Sequence, residues 1–166
     1  MVYKEQYKSI HGIIRLNMKK VMYIDMDGVI SDFSREHKIL EEERGCAIHR
    51  PDLHVDYGNL QAIPGAKDAL MRLDNDFEIY IASTPPWSRP DMWAAKRRWI
   101  EQHFPYLKRK LILTHRKDLL IGDVLIDDSR WRGQPDFQGK WIWFGHNQRC
   151  LDWPSTLEYI YKYIKT

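Results

Sequence analysis

The sequence has few cysteines, no long apolar run and little net charge, and each shortage argues against a class of protein. Cys46 and Cys150 are the two cysteines, too few for a disulfide framework, and neither lies in a C-x-x-C motif. This usage favours a reducing compartment. No stretch approaches the ~18 consecutive apolar residues of a membrane span, and the first eight residues lack the apolar segment of a signal peptide. We therefore expect a cytoplasmic protein with no membrane partner.

A net charge of +3 is too small to indicate a nucleic-acid partner, so we expect no stable nucleic-acid complex. Two short basic clusters, residues 96–98 and 108–110, are interpreted as solvated helix faces. A hydrophobic content of 43% over 166 residues is sufficient for one domain with a buried core, and no repeat is present.

The most informative stretch is residues 21–33, V-M-Y-I-D-M-D-G-V-I-S-D-F. Four apolar or aromatic residues at its start predict a buried parallel strand. The strand stops at Asp25, Asp27 follows, and Gly28 lets the chain turn without a Cβ penalty. Both carboxylates would then lie at the carboxyl edge of a sheet, where open α/β folds have their sites. The alternative is that they are turn residues, because Asp is common where strands end.

The remaining pattern predicts an α/β fold, because strands alternate with helices and so favour a parallel sheet with right-handed crossovers. Residues 33–62 do not have a core-like composition and are predicted to form a small, mainly helical cap, inserted between core segments 1–32 and 63–166. Residues 1–20 fit either a short helix or an extra strand. Strands are predicted over 21–25, 77–82, 110–114, 124–127 and 141–144, and helices over 35–44, from Pro64, over 91–103 and over 156–165.

Several polar groups follow the predicted strands and would meet at one edge of the sheet. Unpaired carboxylates at one site repel and raise each other's pKa, and a divalent cation relieves that repulsion. Hard oxygen ligands suit Mg²⁺. This combination fits phosphoryl transfer, in which a carboxylate attacks phosphorus, a metal and a lysine offset charge, and a second acid moves a proton. The groups are Asp25 and Asp27, Ser83 and Thr84, Asp127 and Asp128, and Lys117.

The same motifs, in this order, resemble the haloacid dehalogenase (HAD) superfamily of aspartate-nucleophile phosphatases, and the longer strings resemble its 5′(3′)-deoxyribonucleotidase family. The resemblance covers about residues 21–146. It implies a HAD-like Rossmannoid three-layer fold and a Mg²⁺-dependent phosphoric monoester hydrolase that acts on (deoxy)nucleoside monophosphates through an aspartyl-phosphate. The strings are D-M-D-G-V-I-S-D-F (25–33), I-P-G-A-K-D-A-L (63–70), I-A-S-T-P (81–85), K-R-R-W-I-E-Q-H (96–103), L-I-L-T-H-R-K-D (111–118) and G-D-V-L-I-D-D (122–128).

Carried over residue by residue, the resemblance implies that Asp25 is the nucleophile and Asp27 the general acid and base. Asp25, Asp128 and the backbone carbonyl of Asp27 would hold Mg²⁺, with Asp127 supporting them. Phosphate would be bound by Ser83, Thr84 and Lys117. Phe33 would contact the nucleoside.

The chain departs from the family in two places. The cap has no clear counterpart to the family's base-contacting aromatics, for which His54 and Tyr57 are candidates. Some relatives carry a lysine shortly after the S-T-P string, where this chain has Arg89 as the candidate cation; otherwise that contact is absent. By analogy with relatives, a homodimer is also implied.

The same residues also fit other hypotheses about function. The same site would also serve a phosphatase of sugar phosphates or of nucleic-acid 3′-phosphates, and a non-catalytic binding protein is a third option. Trp99 and His103 are interpreted as packing residues. Trp131 follows the Asp127-Asp128 pair and could approach the site, but we favour the interpretation that it has no role there.

Overall fold

The computed structural model describes residues 19–48 and 55–165. Within these residues, five strands form one parallel sheet in the order β3-β2-β1-β4-β5. The predicted helix or strand within residues 1–20 therefore lies almost entirely outside the described residues. The strands are β1 Lys20–Ile24, β2 Phe77–Ser83, β3 Leu111–Leu113, β4 Val124–Asp127 and β5 Lys140–Trp143, and the helices are α1 Phe33–Arg44, α2 Ala66–Asp74, α3 Pro90–His103 and α4 Trp153–Tyr163.

Strand β1 lies at the centre of the sheet, between β2 and β4. Ile24 pairs with Ile81 on one side and with Ile126 on the other, so the three strands end nearly level. All three isoleucines are fully buried, as expected for a parallel sheet covered by helices on both faces. This register brings the residues that follow β1, β2 and β4 to one edge. The predicted α/β fold is confirmed.

Two buried tryptophans tie irregular segments to this core. The indole N–H of Trp153 donates to the Val29 carbonyl at 2.8 Å, and that of Trp99 donates to the Leu60 carbonyl at 2.8 Å. Each bond gives a backbone carbonyl of an irregular segment a buried side-chain donor. Trp99 is 1% exposed, so its interpretation as a core residue is confirmed.

Capping side chains set the residues at which α1 and α4 begin. Asp32 accepts a hydrogen bond from the Arg35 N–H, and α1 therefore begins at Phe33. Helix α4 begins three residues earlier than predicted, because Asp152 and Ser155 form a capping box. No helix of the described residues is long and apolar enough to span a bilayer.

One prediction on α3 was wrong. Residues 96–98 were interpreted as a solvated basic face, but Lys96 is fully buried while Arg97 and Arg98 are exposed. Lys96 lies four residues after Met92 and three before Trp99, so the helical period places it on the buried face. Residues 108–110 are not helical; they connect a short 3₁₀ turn to β3.

Candidate active site

Three carboxylates meet at the carboxyl edge of the sheet. The backbone N–H of Asp25 donates to the Ile126 carbonyl at 2.8 Å, which fixes Asp25 beside the end of β4. Asp127 is the last residue of β4, and Asp128 follows it. Carboxylate oxygens of these three residues lie within 4.8 Å of one another, and Asp25 and Asp127 are buried. The predicted convergence of polar groups from different strands is therefore seen here.

A buried lysine lies against this acid cluster. The Lys117 ammonium is 2.7 Å from Oδ1 of Asp25 and also donates to Oδ2 of Asp127. Its side chain is 1% exposed. The backbone N–H of Lys117 donates to the Arg132 carbonyl at 2.8 Å, which holds the lysine-bearing turn against the loop after β4.

In the part of the chain that the structure describes, the Lys117 ammonium contacts Asp25 and Asp127, and the half-buried Asp128 adds a third acid to the same cluster. Burial, reinforced by the Asp127 carboxylate, raises the pKa of Asp25 to about 7. Burial alone would lower the pKa of Lys117, but the carboxylates of Asp25 and Asp127 outweigh it and raise that pKa. A divalent cation would compensate the excess negative charge. The donor set, three carboxylates in reach of one another, fits Mg²⁺.

The turn after β1 comes very close to this cluster, and glycine permits the approach. Gly28 has a φ of +84°, in the left-handed region that favours glycine. A Cβ atom at this position would lie 2.1 Å from Oδ2 of Asp128. The glycine of the D-M-D-G string is therefore required both by the backbone conformation and by the position of Asp128.

The side chain of Asp27 lies in a different environment from that of Asp25. Its Oδ2 accepts hydrogen bonds from the Tyr57 hydroxyl, at 2.9 Å, and from the Lys96 ammonium. Its Oδ1 accepts a hydrogen bond from the Ser31 hydroxyl at 3.0 Å. Among the described residues, the acid cluster contains the Asp127 side chain and not that of Asp27. Any contribution of Asp27 to metal binding would therefore come from its backbone.

The predicted phosphate-binding residues differ in their burial and in their hydrogen-bond partners. The Ser83 hydroxyl is buried and lies 2.9 Å from Nζ of Lys96. The Thr84 hydroxyl donates instead to the Thr114 carbonyl at 2.8 Å, which joins the ends of β2 and β3. Arg89 pairs with the exposed Asp91 at 2.7 Å. The ammonium beside Ser83 and Asp27 is therefore that of Lys96, a residue missed from the sequence.

A cleft of about 480 Å³ opens beside Asp27. Phe33, at the start of α1, lines this cleft and is 8% exposed, and Tyr57 lines it as well. His54, the other candidate for a base contact, lies outside the described residues. Trp131 is exposed and does not line the cleft, and Arg89 does not line it either. The lining consists of Asp27, Phe33, Tyr57, Thr84, Pro85, Pro86, Trp87, Ser88, Met92, His115 and Arg132.

The chain matches known proteins over most of its length. Residues 46–153 match the family model of 5′ nucleotidase, deoxy (Pyrimidine), cytosolic type C protein. A predicted 5′(3′)-deoxyribonucleotidase of Vibrio phage KVP40 is 34% identical over 145 residues, covering 86% of this chain and 85% of the phage protein. The human 5′(3′)-deoxyribonucleotidase, cytosolic type, is 32% identical over 68% of this chain and 73% of its own length.

A bacterial relative is matched along nearly its whole length. The 5′(3′)-deoxyribonucleotidase of Bacillus subtilis is 28% identical, covering 82% of this chain and 95% of the relative. Among solved structures, the predicted HAD-hydrolase YfnB from Bacillus subtilis, bound to magnesium, superposes with a TM-score of 0.53 at 13% identity, covering 80% of this chain and 91% of that one. This likeness supports the HAD fold.

Proposed function

Because the chain belongs to the 5′(3′)-deoxyribonucleotidase family, we propose that it is a Mg²⁺-dependent phosphatase of (deoxy)nucleoside monophosphates. The predicted family and the predicted enzyme class, a phosphoric monoester hydrolase, are both confirmed by this membership. The observation that carries the proposal is the cluster of Asp25, Asp127 and Asp128, of which the first two are buried, with the Lys117 ammonium 2.7 Å from Asp25. Carboxylates so close together repel one another, and a bound cation would relieve that repulsion and offset the charge of an incoming phosphate.

In the proposed reaction, an Oδ atom of Asp25 forms a bond to phosphorus while the bond from phosphorus to the nucleoside oxygen breaks. Asp27 gives a proton to the departing oxygen, which yields the nucleoside and an aspartyl-phosphate. Asp27 then accepts a proton from water as that water attacks phosphorus. The second step releases phosphate and regenerates the Asp25 carboxylate.

The metal would be held by Asp25 and Asp128, with the backbone carbonyl of Asp27, as the resemblance implies. The Asp127 carboxylate is within reach of the same position, although it also accepts hydrogen bonds from Lys117 and from the Ser129 N–H at 2.8 Å. When bound, Mg²⁺ would supply positive charge to the non-bridging phosphate oxygens.

Phosphate binding is proposed for Ser83, Lys117 and Lys96. Lys96 extends the predicted set, because its buried ammonium lies between Ser83 and Asp27. It takes the role considered for Arg89, whose guanidinium pairs with Asp91. Thr84 is proposed to contribute to the wall of the site, since its hydroxyl is bonded to the Thr114 carbonyl.

The nucleoside is proposed to occupy the cleft beside Asp27, with Phe33 as one of its contacts. A cleft of about 480 Å³ with apolar and aromatic walls is suited to a ligand of this size and character. The small-molecule partner is therefore a nucleotide. A cytoplasmic location is proposed as well, supported by the human relative, which is of cytosolic type, and by the two free cysteines.

The test is a substrate panel on the full chain. Deoxyribonucleoside and ribonucleoside monophosphates, with 5′- or 3′-phosphates, are compared with 2-deoxyribose 5-phosphate and with p-nitrophenyl phosphate. We expect phosphate release from nucleotides in Mg²⁺, loss of release in EDTA, and recovery when Mg²⁺ is restored. A higher kcat/KM on the sugar phosphate than on every nucleotide would contradict the substrate class, and no release from any compound in Mg²⁺ would contradict the phosphatase.

A further inference from the structure

An exposed tryptophan lines the same cleft as Asp27 and Phe33. The Trp87 side chain is 80% exposed, although indole is among the most costly side chains to leave in water. Isolated exposed apolar residues are common on protein surfaces. The position of Trp87 inside the cleft, and the way the chain holds it there, distinguish it from such a residue.

Three prolines and two hydrogen bonds constrain the loop that carries Trp87. Pro85 and Pro86 precede it and Pro90 follows, and each proline fixes its own φ. The Pro86 carbonyl accepts two hydrogen bonds, from the Arg89 N–H at 3.2 Å and from the Trp93 indole N–H at 3.0 Å. The indole of Trp87 is thus presented to the cleft by an ordered turn, and binding a ligand would cost little ordering of this segment.

The Trp87 ring is supported by its neighbours without being covered by them. Its centroid lies 6.0 Å from that of Trp93 and 5.8 Å from that of His115, at interplanar angles of 64° and 73°. These are edge-to-face arrangements, which stabilise aromatic pairs. Since the ring remains mostly exposed, area for a further stacking partner is available within the cleft.

We propose that Trp87 is the stacking platform for the nucleobase. The inference rests on the proposed function and extends it, because it makes an aromatic base a requirement for tight substrate binding. The cleft is lined both by Asp27, the proposed proton donor to the leaving oxygen, and by Trp87, so a nucleoside bound there would have both within the same cleft. Arg132 and His115 line the same cleft and supply polar groups around the ring. Specificity for nucleotides over sugar phosphates would then come from the loop after β2.

The experiment compares a substrate that carries a base with one in which a hydroxyl replaces the base. They are the best 2′-deoxyribonucleoside 5′-monophosphate of the wild-type panel and 2-deoxyribose 5-phosphate. Trp87→Ala is expected to raise KM for the nucleotide by about 5- to 150-fold, the range for losing one base–aromatic stack. Trp87→Phe should restore most of this affinity, because it keeps an aromatic face. Neither variant should change kcat/KM on 2-deoxyribose 5-phosphate.

Trp131 provides the matched control, since its side chain is 74% exposed but does not line the cleft. Trp131→Ala should leave both substrates unaffected. An unchanged nucleotide KM in Trp87→Ala, or equal losses of kcat/KM on the two substrates, would overturn the proposal that Trp87 stacks on the base. If thermal melting shows that Trp87→Ala is poorly folded, Trp87→Leu, which keeps an apolar contact but has no aromatic face, decides by the same criteria. Absence of nucleotide hydrolysis by the wild type would instead overturn the proposed function.

Discussion

The Tyr57 hydroxyl donates a hydrogen bond to the carboxylate of Asp27, 2.9 Å from its Oδ2. Tyr57 is 3% exposed, and burial together with the Asp27 carboxylate raises the pKa of its phenol. The phenol therefore remains protonated around neutral pH and acts as a donor. With Ser31 and Lys96 it fixes the orientation of the proposed general acid and base.

Tyr57→Phe retains the ring in the cleft and removes this donor. We expect kcat on a nucleoside monophosphate to fall roughly 10-fold, since a hydrogen bond to a charged group is lost while two others remain. The loss on p-nitrophenyl phosphate should be smaller, because its phenolate leaves without a proton. The measurement is kcat of the variant and of the wild type on both substrates, from steady-state kinetics. Equal rates for the variant and the wild type on the nucleotide would show that Asp27 does not depend on Tyr57.

Lys96→Met tests whether the buried Lys96 ammonium contributes to phosphate binding. The substitution leaves Ser83 and Asp27 without the ammonium that contacts both. The inhibition constant of inorganic phosphate should therefore rise by roughly 10-fold or more in the variant. Arg98→Met on the exposed side of the same helix is the control and should not change inhibition. The inhibition constant for phosphate is the measurement, and the same constant in Lys96→Met and wild type would remove Lys96 from phosphate binding.

Gly28→Ala should weaken metal binding through Asp128. The new Cβ would lie 2.1 Å from Oδ2 of Asp128, so the carboxylate must move, and we expect a higher Mg²⁺ concentration for half-maximal activity. Gly45→Ala is a matched control. Its φ of +67° is similarly unfavourable for alanine, but no atom lies within 4 Å of the added Cβ.

Both alanine variants should lose about 1 kcal/mol of stability from the left-handed backbone, measured by urea unfolding. Only Gly28→Ala should change the Mg²⁺ dependence of the rate. A parallel change in Gly45→Ala would mean that general destabilisation, and not the contact with Asp128, is responsible.

Metal-free protein should lose stability as the pH rises towards neutrality. The pKa of Asp25 is raised from 3.8 to about 7 by burial and by Asp127. Between these values the folded protein holds a proton that the unfolded chain has released. The contribution of this proton to the free energy of unfolding is complete below about pH 4 and is lost by about pH 7. The Asp25→Asn variant has no carboxyl to ionise at this position, so its stability does not fall in this way. Above pH 7 in EDTA the variant should be more stable than wild type by up to about 4 kcal/mol.

Urea unfolding of wild type and Asp25→Asn in EDTA across this pH range provides the measurement. The difference between their free energies of unfolding should grow with pH. Addition of Mg²⁺ should stabilise the wild type more at pH 8 than at pH 5, because the metal binds the ionised carboxylates. A difference that does not vary with pH would show that Asp25 titrates in the folded protein as it does in the unfolded chain.

The positions of Asp25, Asp127 and Asp128 could be anticipated because they depend on local rules. Each follows a buried run typical of a parallel strand, and parallel strands place their carboxyl ends at one edge. The position of Lys96 was also accessible, since the spacing from Met92 to Trp99 places it on the buried face of α3. It was missed because three adjacent basic residues were interpreted by composition and not by helical position.

The direction of the Asp27 side chain could not be predicted in this way. Its donors Tyr57 and Lys96 lie 30 and 69 residues away in the chain, so its environment depends on tertiary packing. The same holds for the cleft, whose walls come from several distant parts of the chain. They are the turn after β1, α1, the segment of Tyr57, the loop after β2, α3, and segments before and after β4. Periodicity reports which face of an element is buried, but not which distant polar groups will meet there.

In the proposed reaction, Asp25 forms a covalent bond to phosphorus. In Asp27→Asn, hydrolysis of the aspartyl-phosphate should be slow while p-nitrophenyl phosphate still phosphorylates the enzyme. We therefore propose to quench that variant during turnover in Mg²⁺, reduce it with borohydride and sequence its peptides by mass spectrometry. We expect homoserine in place of aspartate at position 25, and none when EDTA is present. Release of p-nitrophenol with residue 25 unmodified, or modification of a different residue, would contradict it.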